Sequence, residues 1–162
     1  MRVAVHAGGE VIVTVPHFFS ASALERFLEK YSGWIAKNVA RADTRDVVHA
    51  EKARIHEYKR QALSLSRERC AHYARVYGIS HGKISVRAQK SRWGSCSKAG
   101  NLSFNYKIAL LPPELADYIV VHEICHLLAF DHSRRFWNAV EKTVPGHKAL
   151  RKRLRNTVVR FS

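Results

Sequence analysis

Residues 113–130 form a mostly apolar stretch that carries three polar groups near its centre, His122, Glu123 and His126. The apolar residues recur at helical spacing, so the stretch predicts a helix that is made to be buried. The two histidines are four residues apart, which places both imidazole rings on the same side of that helix. Because unpaired polar groups are costly in apolar surroundings, the fold must bury this helix and still give these side chains partners.

The first half of the sequence predicts a β-hairpin followed by two helices. Two β-branched runs separated by paired glycines are typical of a hairpin, a capping box precedes the first helix, and a glycine ends the second. These signals lie at 3–7 and 11–15 with Gly8 and Gly9 between them, at Ser22–Glu25, and at 46–77 with Gly78 after it. We therefore expect a hairpin with one helix in 1–45 and a long polar helix in 46–78.

The second half predicts strands that lead into the apolar helix. Alternating apolar and polar residues indicate two strands, a pair of prolines opens the apolar helix, and two shorter helices follow it, the last one basic. These elements lie at 84–88, 101–110, 113–130, 134–142 and 147–155. Together the two halves predict one α+β domain over residues 1–162, with a short antiparallel or mixed sheet.

The bulk properties of the chain limit the classes of protein to consider. The net charge is +15 and the isoelectric point is near 10.2, so the surface attracts polyanions. That charge fits either a solvated surface or contact with nucleic acid. No apolar run has the length of a membrane span, and residues 1–10 lack the apolar core of a signal peptide. Three cysteines without a C-x-x-C pair argue against a disulfide scaffold, so we expect a cytoplasmic location.

His122, Glu123 and His126 form the pattern H-E-x-x-H, which predicts a zinc site. Two imidazoles on one helical face can bind one Zn²⁺ ion at about 2.0–2.1 Å, and the adjacent glutamate can take a proton from metal-bound water. Because a catalytic zinc ion needs three protein ligands, we predict His132 as the third, with the helix ending near Phe130–Asp131. The alternative is a pair of hydrogen-bonded core histidines with a solvated glutamate, which an apolar helix disfavours.

Glu141 is a rival for the place of the third ligand, because some zinc hydrolases use a glutamate from a following helix. We favour His132, since Glu141 falls on a short helix where a surface position is expected. The sequence does not fit a metzincin. That pattern has glycine where Ala129 stands and needs a methionine turn, whereas Met1 is the only methionine.

Four segments resemble the YgjP-like metallopeptidase family, which is distantly similar to SprT-like and WLM zinc proteases. They are RWGSC at 92–96, NLSFNYKIALLPPELADYIVVHEICHLL at 101–128, DHSRRFW at 131–137 and PGHKALRKRL at 145–154. The N-terminal hairpin and helix resemble the same family. The resemblance implies a small zincin-like fold with its catalytic core in 79–162, zinc held by His122, His126 and His132, and Glu123 as the general base.

Other residues near these motifs have two interpretations each. Arg92 could steady a substrate carbonyl or carboxylate and Cys96 could approach the metal, but a packed turn around Trp93 is the favoured interpretation. The strand 101–110 could pair with an extended substrate at a sheet edge, or it could lie inside the sheet. The sequence does not identify the oxyanion donor, for which the candidates are Tyr106, Tyr118 and His147.

We therefore predict a zinc-dependent metallopeptidase, an endopeptidase or a closely related hydrolase, that acts on proteins or peptides. In this hypothesis zinc polarises the scissile carbonyl while Glu123 moves a proton from water to the leaving amine. Two alternatives come from other classes: non-specific nucleic-acid binding through the basic surface, and a nucleotide pyrophosphatase acting on substrates such as UTP. No zinc finger, helix-turn-helix or RNP motif supports the first alternative, and no Walker A loop or aspartate cluster supports the second.

Overall fold

A computed structural model describes residues 1–6, 9–43 and 46–162 of the chain. The chain divides into two compact units. The first comprises Met1–Val47 with Asn156–Val158, and the second comprises Val48–Arg155 with Val159–Ser162. The architecture is the predicted α+β class, with five helices of two turns or more and short sheets in the described residues.

The first unit contains the predicted hairpin and one long helix. Strands β1 (Arg2–Val5) and β2 (Val11–Thr14) pair antiparallel, and helix α1 (Ala21–Asp43) follows them. The hairpin is confirmed, although Ala7 at the end of its predicted first strand and Gly8 of its predicted turn lie outside the described residues. The predicted capping box at Ser22 is wrong by two residues. The Ser20 hydroxyl accepts a hydrogen bond from the Ala23 backbone N–H at 3.3 Å, so Ser20 caps the helix.

The helix predicted over 46–77 begins nine residues later than expected. Strand β3 (Val47–Ala50) and a 3₁₀ turn precede helix α2 (Ile55–Tyr77). Strand β3 pairs with β7 (Val158–Phe161), a strand at the far end of the chain that the sequence did not predict. The C-terminal stop is confirmed: Gly78 has φ 64°, in the left-handed region, and its N–H reaches the carbonyls of Ala74 and Arg75.

A three-stranded sheet forms from the chain between α2 and the apolar helix. It has the order β4 (Ile84–Arg87), β6 (Leu102–Asn105) and β5 (Gly94–Cys96), with β4 parallel and β5 antiparallel to β6. The strand predicted over 101–110 is therefore correct only in its first half. At Asn105 the side chain accepts a hydrogen bond from the Lys107 backbone N–H at 3.2 Å, and a 3₁₀ turn, Tyr106–Leu110, follows.

Strand β6 is the central strand of this sheet, and all four of its residues are buried. The sequence allowed either an edge or an interior position in the sheet for this strand, and the structure places it in the interior. The suggestion that it pairs with a substrate at a sheet edge is therefore wrong, because both of its edges already carry a neighbouring strand. The edge position belongs to β5.

Three helices complete the second unit. Helix α3 (Pro113–Cys125) contains His122 and Glu123 and is followed directly by His126, and α4 (Arg134–Thr143) and α5 (His147–Asn156) come after it. Helix α3 ends five residues before the predicted stop near Phe130–Asp131. The carbonyls of Ile124 and Cys125 at its end accept hydrogen bonds from backbone N–H groups of residues 127–129, which form a turn instead of continuing the helix. Among the described residues no helix is both long and apolar enough to cross a membrane.

The apolar character of α3 follows from its place between two hydrophobic clusters. One side packs on α2 and β6 through Leu115, Ile119 and Ile124, and the other packs on α4 through Val121 and Cys125. A helix with partners on both sides has no need of a polar face. The polar atoms of the motif must therefore be satisfied locally.

Candidate metal centre

The structure brings His122, His126 and His132 into one cluster. Ring nitrogens of the three side chains all lie within 4.8 Å of one another, the one such group of potential metal ligands found in the described ranges. The Nε2 atoms of His122 and His132 are 3.2 Å apart. Two ligands of a tetrahedral zinc ion at 2.0–2.1 Å are separated by about 3.3 Å, so these nitrogens have the spacing that such an ion requires.

The local backbone explains how a helix and a loop converge. His126 follows the last residue of α3 but keeps helical angles, φ −64° and ψ −22°, so it stays on the side of His122. The chain then turns, and the carbonyl oxygen of Ala129 lies 3.3 Å from Nδ1 of His126. If that carbonyl accepts the Nδ1 proton, the Nε2 lone pair of His126 is left to bind a cation.

The surroundings of His122 and His126 favour neutral imidazole rings. Burial lowers the pKa of His122 to about 3, assisted by the charges that His126 and His132 would carry. Burial also lowers the pKa of His126, and the Ala129 carbonyl opposes that shift. Because only a neutral imidazole has a lone pair for a metal ion, rings that resist protonation suit a metal site.

Glu123 lies beside this cluster and is only 6 % exposed. Burial raises the pKa of Glu123 to about 7, against the opposing charge of Arg92. The backbone of β5 approaches the carboxyl group closely at Gly94, where a Cβ atom would lie 2.7 Å from Oε1. Any residue larger than glycine at position 94 would therefore force the Glu123 side chain to move.

Two cavities meet at these residues. The first has a volume of about 310 Å³ and opens over the three histidines, between β5 and the exposed ring of Phe130. The second has a volume of about 240 Å³ and extends towards α5. Both cavities are lined by Arg92, Gly94, His122 and Glu123.

A family model described as YgjP-like, metallopeptidase domain, matches residues 43–157. The chain belongs to this family. The predicted resemblance is confirmed, and membership makes the protein a metallopeptidase, a class of metal-dependent enzyme that acts on proteins or peptides.

Two solved structures are similar to this YgjP-like chain. One is the crystal structure of the metallopeptidase zymogen abylysin of Pyrococcus abyssi, with 29% identity, a TM-score of 0.51, and coverage of 55% of this chain and 90% of that one. The other is the metallopeptidase zymogen jannalysin of Methanocaldococcus jannaschii, with 20% identity, a TM-score of 0.48, and coverage of 56% and 91%. A comparison with curated proteins finds no match.

The rival ligand Glu141 lies elsewhere in this YgjP-like domain. Its carboxylate contacts Nδ1 of His147 and accepts a 3.4 Å hydrogen bond from the Gly146 backbone N–H. His147 is buried, and its ring stacks on Trp137 at a centroid distance of 5.1 Å. Glu141 and His147 thus contact each other, away from the three histidines of the cluster.

The other sequence candidates take different positions. Cys96 lines the cavity over the histidines, and the buried Cys125 donates instead to the Tyr77 hydroxyl at 3.4 Å. Tyr118 is buried, with its ring centroid 6.0 Å from that of His122, and lines the second cavity. Tyr106 packs on Phe161.

Sequence reasoning missed two residues of this site. Gly94 lies within the RWGSC motif, but its contact with Glu123 depends on a strand pairing that spacing cannot reveal. Arg151 lines the second cavity from α5, where it was one of many basic residues. For Gly94, the only hint in the sequence was a glycine directly after the aromatic residue Trp93.

Proposed function

We propose that the chain is a zinc-dependent peptidase in which His122, His126 and His132 hold the ion and Glu123 is the general base. The observation that carries this proposal is the convergence of three imidazoles from a helix and a loop beside a buried carboxyl group. The donor set fits the ion: three imidazole nitrogens lie within 4.8 Å of one another, and three protein ligands leave a fourth position for water or substrate. When bound, zinc would supply a Lewis acid that polarises the scissile carbonyl and acidifies water.

Glu123 performs the proton transfers. Its carboxylate accepts a proton from the attacking water and then delivers that proton to the nitrogen of the leaving amine. A pKa near 7 before the ion binds means that the group gains and loses a proton readily. The backbone at Gly94 limits the positions that the carboxyl group can take, which supports a fixed direction for the transfer.

The substrate binds in extended form along β5. This strand has β6 on one edge and stands at the limit of its sheet, so its other edge offers backbone groups to a peptide. Gly94 and Cys96 of β5 both line the cavity over the histidines. A peptide paired with this strand would therefore present its backbone to the metal centre.

The test is Glu123→Gln, with Glu141→Gln as a matched control at an exposed carboxylate. We expect the first variant to keep its zinc and lose about 10²- to 10⁴-fold in peptide hydrolysis, and the control to retain both. Zinc content by elemental analysis and hydrolysis of casein and short peptides, with and without a chelator, are the measurements. Turnover at the wild-type rate in Glu123→Gln would refute the mechanism. Hydrolysis of nucleoside triphosphates without peptide hydrolysis would refute the peptidase assignment.

A further inference from the structure

The cavity of about 240 Å³ beside the metal centre combines an apolar interior with a cationic rim. Ile119 is buried in its wall, and Trp93 and Leu154 are half-buried there. Arg92 and Arg151, by contrast, are both exposed. A group that enters this cavity therefore passes two guanidinium groups and then meets apolar side chains.

Arg151 differs from two other arginines of the same unit in what its guanidinium contacts. Arg69 and Arg153 form ion pairs with Asp117 and Glu114 at 3.2 and 2.6 Å. The guanidinium of Arg151 lies instead over the ring of Trp137, 5.1 Å from its centroid. A cation over a ring face keeps its N–H donors at the edge of the guanidinium plane, where an anion can accept them.

Glu123 is the only acidic residue among those that line this cavity in the described part of the chain. That carboxyl group is buried and faces the backbone of Gly94, and a single carboxyl group can balance at most one of the two arginine charges. Two cations at one cavity repel each other unless an anion joins them. The negatively charged groups of a peptide are carboxylates, and the two oxygens of a carboxylate can accept two hydrogen bonds from one guanidinium.

We propose that this cavity selects peptides that place a carboxylate next to the scissile bond. The carboxylate comes either from an acidic side chain or from a free C terminus, and Arg92 and Arg151 bind it while the apolar interior holds the attached methylene groups. The proposal rests on the proposed function, because it takes the bond to be cut at His122 and Glu123, which line the same cavity.

The test measures binding in zinc-loaded protein carrying Glu123→Gln, so that peptides stay intact. The probes are fluorescein-labelled hexapeptides in two matched pairs, a central Glu against Gln and a free against an amidated C terminus. Fluorescence anisotropy gives the dissociation constants. We expect one carboxylate peptide to bind at least tenfold more tightly than its neutral partner, since charge-assisted hydrogen bonds have that strength. The pair that shows the preference identifies the source of the carboxylate.

Three further substitutions in the same background locate the preference. Arg92→Gln and Arg151→Gln should each reduce it to below threefold. Arg155→Gln removes one exposed charge from the same helix as Arg151 and should leave it unchanged. Equal binding of all four peptides would overturn the proposal, as would an equal loss in Arg155→Gln, which would mean attraction by the overall charge of +15.

Failure of the two proposals is distinguishable. If wild-type protein with zinc cleaves no peptide but the binding preference and its dependence on Arg151 are found, the peptidase mechanism fails and the carboxylate site stands. If wild-type protein cleaves peptides at equal kcat/KM whether or not they carry a carboxylate, the carboxylate site fails and the peptidase stands.

Discussion

The helix half of the histidine cluster and its loop half are held in different ways. His122 is half-buried on α3, a helix packed on both sides by hydrophobic clusters. His132 is exposed and lies between α3 and α4, in a segment without helix or strand. The hydrophobic core therefore fixes the position of His122, whereas a turn of the chain brings His132 to it.

Phe136 connects the two halves. This fully buried residue of α4 has its ring centroid 4.9 Å from that of His122, 4.6 Å from His126 and 4.8 Å from His132. The exposed loop half therefore also rests on the core, through one aromatic ring. The loop histidine therefore has a defined packing partner in the core.

The largest expected effect separates the two halves directly. We expect His122→Ala to lower zinc affinity by well over 100-fold, and His132→Ala by about 10- to 100-fold. The metal-free His122→Ala protein should also lose about 1–2 kcal/mol of unfolding free energy, because it leaves a gap beside Phe136, whereas His132→Ala should stay within about 0.5 kcal/mol. Competition with a chromophoric chelator and urea unfolding measure the two quantities. Equal losses in both variants would remove the distinction between the halves.

The next effect concerns the buried carboxyl group of the helix half. Because the folded pKa of Glu123 is about 7 and its ordinary value is 4.5, the folded chain binds this proton more tightly than the unfolded chain does. Its contribution to stability is present below pH 4.5 and is lost as the pH rises through 7. Metal-free Glu123→Gln should therefore be more stable than wild type at pH 8 by up to about 3 kcal/mol.

Urea unfolding in the presence of a chelator, at pH 5 and pH 8, measures this difference. His122 contributes with the opposite sign, since its pKa is lowered and its share of stability is lost as the pH falls from 6.5 towards 3. Glu123→Gln leaves that share in place, so the comparison with wild type isolates the carboxyl group. A difference that is the same at both pH values would contradict the expectation.

A smaller effect tests how the helix half is positioned. In Gly94→Ala the new methyl group would lie 2.7 Å from Cγ and Oε1 of Glu123, and the flexible carboxyl end has to move. We expect peptide hydrolysis to fall by about 10- to 100-fold, because displacement of a catalytic group is costly, with little change in stability. Gly33→Ala, where no atom lies within 4 Å of the added Cβ, is the control. Unchanged kcat in Gly94→Ala would show that the carboxyl group tolerates the shift.

The smallest effect is expected at the rival ligand. Glu141→Gln should leave zinc affinity within about twofold of wild type, because the Glu141 carboxylate contacts His147 and Gly146. The unfolding free energy should fall by about 1 kcal/mol or less, since the carboxylate is largely exposed. Titration of the variant with zinc provides the check, and a large loss of affinity would move the third ligand from His132 to Glu141.

The sequence predictions succeeded where a structure depends on residues close together in the chain, and failed where it depends on residues far apart. The hairpin, the Gly78 stop and the three helices after Pro112 depend on neighbouring residues, and the structure contains them all. The local pattern predicts helix where strand β3 lies, because the pairing partner of β3, strand β7, is more than a hundred residues away.

The same limit applies to the site. The spacing of H-E-x-x-H places His122 and His126 together through helix geometry alone. The contact of Gly94 with Glu123 and the position of Arg151 depend on how β5 and α5 pack on α3, and no local pattern records that packing.

The early end of α3 has a consequence for the lifetime of the protein. The chain leaves the helix after Cys125, passes the half-exposed ring of Phe130 and returns to within 3.2 Å of His122 at His132. If the proposed ligands hold a cation, that cation acts as a clasp on the eleven-residue loop from His122 to His132. Without the clasp, the exposed residues 130–132 of this loop lose a tether, and exposed loops are where proteases cleave. Metal supply would then set not only how fast this enzyme works but how long each copy survives.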